Sequence, residues 1–312
     1  MKYRVVHSTE YTYTDPVPVC HNLVHLSPRQ LPHQSCGRFE ICISPGHQPL
    51  VNHRDVFGNE VHYFSIQEPH RSLAITASSE IEVRPRCQPA TTTTGWEQQL
   101  SAHLSDLSDV QYTRPSWFVP LRQELGDFAR ISFRAGRPTA EAAACLTQRI
   151  HRQFEYNPSA TTVTTPVEEV FRQRAGVCQD FAHLQIACLR SIGIPARYVS
   201  GYLRTTPPAG KPRLVGADAS HAWLSVYCGA AGWIDFDPTN NVSPGTDYIT
   251  VGWGRDYQDV CPVRGVVTGG GRHRLSISVD VEPIEPIEPI ESSANTPAET
   301  MTTCQNTLIE PV

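Results

Sequence analysis

The stretch GVCQDFAHLQIACLRSIGIPARYVSGY, residues 176–202, combines a glycine break, a helix and a strand. A helix is predicted from about Cys178 to Ile192, because apolar residues recur at helical spacing and the sequence GIP at 193–195 ends it. Cys178 would then lie in the first helical turn, where unpaired N–H groups and the positive end of the helix dipole favour a thiolate. The competing interpretation for Cys178 alone is a buried helix cap.

A thiolate nucleophile needs a base, and the sequence offers His221 at the start of a predicted strand, 221–227. Alternation along this strand places His221 and Trp223 on the same face. Taken alone, a histidine in a strand is more often a packed or surface residue than a base. Its significance therefore depends on a carboxylate that can orient the ring.

Asp237 is the carboxylate that we expect to orient His221. It ends a predicted strand, 233–237, which follows the strand of His221 after a five-residue loop. If the two strands pair across this loop, Asp237 lies opposite Trp223 and diagonally next to His221, within reach of an imidazole. A pairing shifted by one residue would turn Asp237 to the other face, so this register is an assumption. Asp235 shares the face and is the rival, but Asp237 stands at the strand end, where functional groups are more often exposed.

The chain divides into four regions of different character. Residues 1–88 hold short alternating runs separated by turn sequences, which predict an antiparallel β sandwich or barrel. Proline, threonine and glycine make residues 89–117 a connector. Helical periodicity followed by strands predicts an α+β core at 118–282. The repeat EPIEPIEPIE at 282–291 forbids helix and central strand, so we expect residues 283–312 to form a disordered Pro/Glu-rich tail.

Three motifs of the core, GVCQDFAHL, SHAWLSVY and GWIDFDPTN, resemble the transglutaminase-like superfamily in type and order. The resemblance implies a papain-like fold in which the cysteine helix packs on an antiparallel sheet. It also implies a catalytic triad of Cys178, His221 and Asp237. Three further motifs resemble bacterial members that carry an N-terminal β domain: YRVVHSTEYTYTDPV, DVFGNEVHYFSI and GRDYQDVCPVRGV. The resemblance covers about residues 1–282.

The activity that this resemblance implies is thiol-dependent acyl transfer at amide bonds. Water resolves the thioester in a peptidase or amidohydrolase, and an amine resolves it in a protein-glutamine transglutaminase. Gln179 and Asp180 follow the cysteine where animal cross-linking enzymes usually have tryptophan, and nothing resembles their calcium sites. Hydrolysis is therefore favoured, with transamidation as the alternative. A non-catalytic peptide-binding module on the same fold is a third reading, disfavoured because all three triad residues are kept.

Three aromatic residues are candidates for the walls of the active site. Trp223 and Trp233 can line an acyl channel, although packing is an equally good interpretation. Tyr156, which precedes the cysteine helix, is a candidate for a second oxyanion or pocket group.

A metal enzyme is the remaining alternative for the chemistry. Cys20, His21 and His25 lie close together in the sequence, and His62 and His70 are available. No CxxC or HExxH pattern frames them, and the region is predicted as β. We therefore expect neither a metal nor a cofactor.

Composition limits the classes of partner. The net charge of −5, from 26 basic and 31 acidic residues, gives no footprint for nucleic acid. No run approaches the roughly 18 apolar residues of a membrane span, and the N-terminus lacks the apolar core of a signal peptide. The ten scattered cysteines then suggest reduced thiols in a cytoplasmic protein. The expected partner is a peptide or protein amide substrate, and the oligomeric state is left open.

Overall fold

The computed structural model of the chain describes residues 1–46, 48–86, 94–103, 107–205 and 219–284. The fold is α+β, as predicted. Its strands are β1 (Lys2–Val17), β2 (Val19–Val24), β3 (Gln34–Ser44), β4 (Val51–Arg54), β5 (Glu60–Ile66), β6 (His70–Val83), β7 (Glu155–Tyr156), β8 (Ala175–Gly176), β9 (Ala196–Leu203), β10 (Ala219–Tyr227), β11 (Trp233–Phe236), β12 (Tyr248–Gly254), β13 (Val263–Thr268) and β14 (His273–Pro283). Its helices are α1 (Trp96–His103), α2 (Leu107–Val110), α3 (Gln123–Arg130), α4 (Thr139–Gln153), α5 (Val167–Gln173), α6 (Cys178–Arg190) and α7 (Tyr257–Val260). None of the helices in these ranges is long and apolar enough to cross a membrane.

The N-terminal β domain is a sandwich of two antiparallel four-stranded sheets. Their strand orders are β14-β1-β6-β3 and β13-β2-β5-β4. Alternation along each strand turns one apolar row inward, and the two inner rows meet in a shared core. That core includes Leu73 and Ile75 from the first sheet, with Phe64 and Ile66 from the second. The antiparallel sandwich predicted for the start of the chain is thereby confirmed.

The strands β13 and β14 belong to this sandwich, although the sequence analysis assigned all of 118–282 to the catalytic core. β13 pairs with β2, and β14 pairs with β1 over eleven residues, from Tyr3↔Pro283 to Tyr13↔His273. Val279 and Val281 fill the inner face beside Val5. Alternation predicts a strand but not which distant strand it joins, so the core boundary at 282 was wrong.

The predicted connector contains regular structure. α1 and α2 fall inside residues 89–117, of which 89–93 and 104–106 lie outside the described residues. Trp96 packs against the core of the following domain, and its indole N–H donates to the carbonyl of Arg134 at 3.1 Å. The predicted tail, 283–312, lies outside the described residues from 285 onward.

The catalytic core is a second layered unit, in which α6 lies on an antiparallel sheet of order β11-β10-β9-β12. The helix buries Phe181, Leu184 and Cys188 in a core shared with Leu224 and Val226 of β10. The observed α6 matches the predicted helix to within two residues, and β9 matches the predicted strand. Cys178, the first residue of this helix, is thus mounted on a rigid, buried element.

The β domain covers the free edge of the catalytic sheet. Along β12, the side-chain amides of Gln34 and Asn59 make the hydrogen bonds to the backbone that a neighbouring strand would otherwise make. The side chain of Gln34 donates to the Thr250 carbonyl and accepts from the Thr250 amide, both at 2.8 Å. Asn59 binds Trp253 in the same way, at 2.9 and 3.0 Å. Arg29 lies over the Trp253 ring, with its guanidinium carbon 3.6 Å from the ring centre. The two domains therefore form one continuous structure.

Replacing Gln34 by leucine is expected to lower the free energy of unfolding by about 2 kcal/mol, because it leaves the buried Thr250 amide without a partner, whereas the Thr250 carbonyl keeps its bond from the Arg29 amide. Urea unfolding measures this loss. Gln30→Leu is the matched control, since Gln30 makes the same pair of bonds to the Cys36 backbone at an exposed site. Water can replace those bonds, so the control should cost less than about 1 kcal/mol. Equal losses in both variants would contradict a special role for Gln34.

Candidate active site

Cys178 is the first residue of α6 and is half-buried. The carboxylate of Asp180 fastens the start of this helix, because it accepts from the Val177 amide at 2.8 Å and from the Thr161 hydroxyl at 2.6 Å. Gly176 makes room for that carboxylate, since a Cβ at this position would lie 2.8 Å from Asp180 Oδ2. These contacts leave the first N–H groups of α6 beside the sulfur.

A loop from 157 to 165 forms a wall next to Cys178. It is tied to the first turn of α6 twice, by the bond of Thr161 to Asp180 and by a 3.0 Å bond from the side-chain Nε2 of Gln179 to the Val163 carbonyl. At the base of the loop, the Asn157 amide donates to the Gly176 carbonyl at 2.9 Å. The loop is therefore held in place by the residues that flank the nucleophile.

His221 and Asp237 meet as the sequence register required. β10 and β11 pair with Tyr227 opposite Trp233 and Leu224 opposite Phe236. This is the assumed register, and it brings the next residue, Asp237, to His221. His221 Nε2 lies 2.7 Å from Asp237 Oδ2, and the Asp237 side chain is fully buried. The Cys178 thiol also favours the charged form of the imidazole, and with Nε2 bound to Asp237, Nδ1 is the nitrogen left for the sulfur. Cysteine, imidazole and carboxylate therefore stand in series.

The electrostatics of the three groups reinforce one another. Burial lowers the pKa of His221, but hydrogen bonds to Asp237 and Cys178 and their negative charges outweigh it, raising the pKa to about 9. Burial raises the pKa of Asp237, but the His221 hydrogen bond and charge outweigh it and bring it below the ordinary value. Asp237 therefore stays ionised, and the imidazole holds a proton strongly while its partners are negative.

Further donors surround the Asp237 carboxylate. Oδ1 accepts from the Thr239 amide at 2.8 Å and the Asn240 amide at 3.2 Å, which is the turn that ends β11. Oδ2 accepts from the Asn240 side chain and the Tyr248 hydroxyl, both at 2.7 Å. The sequence analysis missed Asn240, although the residue ends the motif GWIDFDPTN. It also missed Tyr248, which no local pattern marks.

Asp235, the other carboxylate considered for orienting His221, binds different side chains. Its Oδ2 accepts from the Trp223 indole at 3.0 Å and from Arg86 at 2.6 Å. Trp223 is fully buried, with its ring centre 6.1 Å from that of His221. Trp233 packs against Tyr112 instead, with ring centres 5.3 Å apart. Both tryptophans therefore pack against other side chains in this structure, which is the second of the two interpretations given for them above.

Tyr156 lies near the nucleophile. β7 pairs Tyr156 with Gly176, two residues before Cys178, and the Tyr156 side chain is 55% exposed. Burial of its hydroxyl and the proximity of Cys178 raise the pKa of Tyr156. Its position suits a group at the mouth of the site that contacts substrate.

The cysteine and histidines considered for a metal site have separate environments. Cys20 is buried and accepts from Asn22, whereas His21, the next residue along β2, binds the Tyr63 hydroxyl at 2.7 Å on the surface. His25 bonds the Cys261 carbonyl at 3.1 Å. Within the ranges that the structure describes, no three His, Cys, Asp or Glu side chains cluster as metal ligands.

Two family models match this chain. Residues 3–82 match the bacterial transglutaminase-like N-terminal region, and residues 128–238 match the transglutaminase-like superfamily. An uncharacterized protein of Mycobacterium tuberculosis is 41% identical over 292 residues, covering 90% of this chain and 93% of that protein. The chain belongs to the transglutaminase-like superfamily and carries the N-terminal region of its bacterial members.

Two further proteins resemble parts or the whole of this chain. A Pseudomonas aeruginosa protein named protein-glutamine gamma-glutamyltransferase is 37% identical over 111 residues, which span 35% of this chain and 17% of that protein. A crystal structure from Cytophaga hutchinsonii, described as a cysteine-protease candidate, superposes with a TM-score of 0.71 over 90% of both chains. At 21% identity, this likeness concerns the fold.

Proposed function

We propose that this protein is a cysteine enzyme that cleaves amide bonds through a thioester on Cys178, acting as a peptidase or amidohydrolase. The observation that carries the proposal is the series of contacts from the Cys178 thiol to His221 and on to the buried carboxylate of Asp237. A half-buried sulfur at a helix N-terminus, with an imidazole on one side, is the arrangement that an activated thiol requires.

The mechanism follows from these contacts. His221 takes the proton of Cys178, and the thiolate attacks the carbonyl carbon of the amide. The N–H groups at the start of α6 stabilise the negative oxygen that forms. His221 gives its proton to the leaving amine, the C–N bond breaks, and a thioester remains. A water molecule then loses a proton to His221, attacks the thioester and releases the acid and the thiol.

Transamidation is a second candidate function, because the Pseudomonas aeruginosa relative of the catalytic segment is named as a glutamyltransferase. The same three residues would serve both reactions, with an amine in place of water at the second step. Product analysis separates them: a peptide library and glutamine peptides with a labelled primary amine are incubated with the protein, and free acid and amine conjugate are quantified side by side.

A test that needs no substrate uses alkylation of the cysteines. Cys178 should react with iodoacetamide at pH 6–7 roughly tenfold or more faster than an ordinary thiol, because an adjacent base and a helix N-terminus favour attack by the thiolate. Peptide mapping by mass spectrometry gives the rate, and exposed Cys42 in the same chain is the internal control. Iodoacetate should be favoured over iodoacetamide only below about pH 9, where His221 is positively charged. Equal rates at Cys178 and Cys42 would refute the proposal.

A further inference from the structure

The oxygen of Asp237 that binds His221 has two further donors from outside the predicted triad. The Tyr248 hydroxyl donates to Oδ2 at 2.7 Å, and the Asn240 side chain donates to the same atom at 2.7 Å. His221 Nε2 is the third group on this oxygen, also at 2.7 Å. Hydrogen bonds to a carboxylate are strong and directional, so rotating Asp237 would break several at once.

The ring of Tyr248 is held so that its hydroxyl can only point at the carboxylate. It is 6% exposed and meets the Trp223 ring edge-on, with centres 5.4 Å apart and planes at 86°. Its centre is 5.9 Å from that of His221. Burial and the charge of Asp237 raise the pKa of Tyr248, so the hydroxyl keeps its proton and acts as the donor.

The strand that carries Tyr248 is fixed by the β domain. Gln34 binds both backbone groups of Thr250, two residues further along β12. On the other side of Tyr248, Asp247 accepts from the Tyr3 hydroxyl of β1 at 3.2 Å. The position of the Tyr248 ring along the sheet is thus set by contacts with the N-terminal domain.

We propose that Tyr248 is a positioning residue that, together with Asn240, holds Asp237 in the orientation that keeps His221 aimed at Cys178. This inference rests on the proposed function and extends it to residues that contact neither the thiol nor the substrate in the mechanism above. It also gives the β domain a part in the active site, because that domain fixes β12. The site then depends on a connected group of five side chains: Cys178, His221, Asp237, Asn240 and Tyr248.

Tyr248→Phe removes only the hydroxyl and tests the proposal. We expect kcat to fall about tenfold, while KM stays within about twofold, because one charge-assisted bond behind the imidazole is lost. Tyr202→Phe is the matched control. Tyr202 is likewise buried in the same sheet, but its hydroxyl bonds His7 at 3.0 Å. Thermal unfolding of both variants measures the cost of losing a buried hydroxyl.

Proton NMR gives a readout that does not depend on turnover. The proton shared by His221 and Asp237 should resonate far downfield and disappear in Asp237→Asn. Its resonance should shift in Tyr248→Phe and in Asn240→Ala, but stay in place in Tyr202→Phe. An unchanged resonance and kcat in Tyr248→Phe, or equal losses of kcat in both tyrosine variants, would overturn the positioning role. If wild-type Cys178 alkylates no faster than Cys42, the proposed function fails instead, and the NMR result still decides the role of Tyr248.

Discussion

Cys178→Ala is expected to abolish amide cleavage, lowering kcat/KM by about 10⁵-fold, because removal of a nucleophile leaves only binding and oxyanion contacts. Substrate affinity should be retained, since the sulfur supplies little of the contact surface. The variant should also fold normally, because the half-buried side chain lies at the start of α6 and not within the core. A substrate found by the product screen gives kcat/KM, and isothermal calorimetry with the same substrate gives the affinity.

Cys145 makes this test stringent, because among the cysteines in the described ranges it is a second thiol with groups nearby that favour its ionised form. Burial raises the pKa of Cys145, but hydrogen bonds with Ser132 and Arg137 outweigh it and bring the pKa below the ordinary value. Cys145 is therefore the competing candidate to be tested away from His221. Cys145→Ala should keep full activity while Cys178→Ala loses it. Activity that survives in Cys178→Ala and disappears in Cys145→Ala would transfer the chemistry to another place in the fold.

Much of the catalytic half could be predicted because its signals are local. Helical spacing marked α6, and alternation marked β10 and β11. The register across the short loop between these two strands was an assumption, and the structure has it, with Tyr227 opposite Trp233. In this register Asp237 lies on the same face as His221, whereas a shift of one residue would turn it to the other face. Choosing Asp237 over Asp235 depended on its place at the strand end, and the structure adds the reason, since Arg86 and Trp223 engage Asp235.

Most of the missed features depend on contacts between separate strands, although Asn240 lies only three residues from Asp237. β13 and β14 join strands about 240 to 280 residues earlier, and no periodicity encodes such a partner. Tyr248 reaches Asp237 across the sheet, past Gly201, where a Cβ would lie 2.6 Å from the Trp223 ring. Gln34 binds β12 through side-chain amides, which leave no pattern in either segment. Local sequence determines the elements, whereas long-range contacts determine how precisely the site is assembled.

Asp237→Asn is expected to lower kcat about 100-fold or more, because it removes the charge that orients and stabilises the imidazolium. The amide would also turn a donor towards groups that now donate to Asp237, among them Tyr248 and the Thr239 amide. Steady-state kinetics measure the loss. Asp235→Asn is the control, since it changes a buried carboxylate two residues earlier, in β11. It should lower the melting temperature by weakening the pair with Arg86, but leave the reactivity of Cys178 intact.

The pH dependence gives Asp237→Asn a sharper signature than the rate alone. In the wild type, contacts with Asp237 and Cys178 raise the pKa of His221 to about 9 against the opposing effect of burial. Without the charge on Asp237, burial is opposed less, so the pKa of His221 must fall. The imidazole of the variant should therefore lose its proton at a lower pH than that of the wild type. The preference of Cys178 for iodoacetate over iodoacetamide should therefore vanish at lower pH in Asp237→Asn than in Asp235→Asn. Identical pH profiles for the two variants would mean that Asp237 does not control the charge of His221. Asp237 would then have no part in activating Cys178.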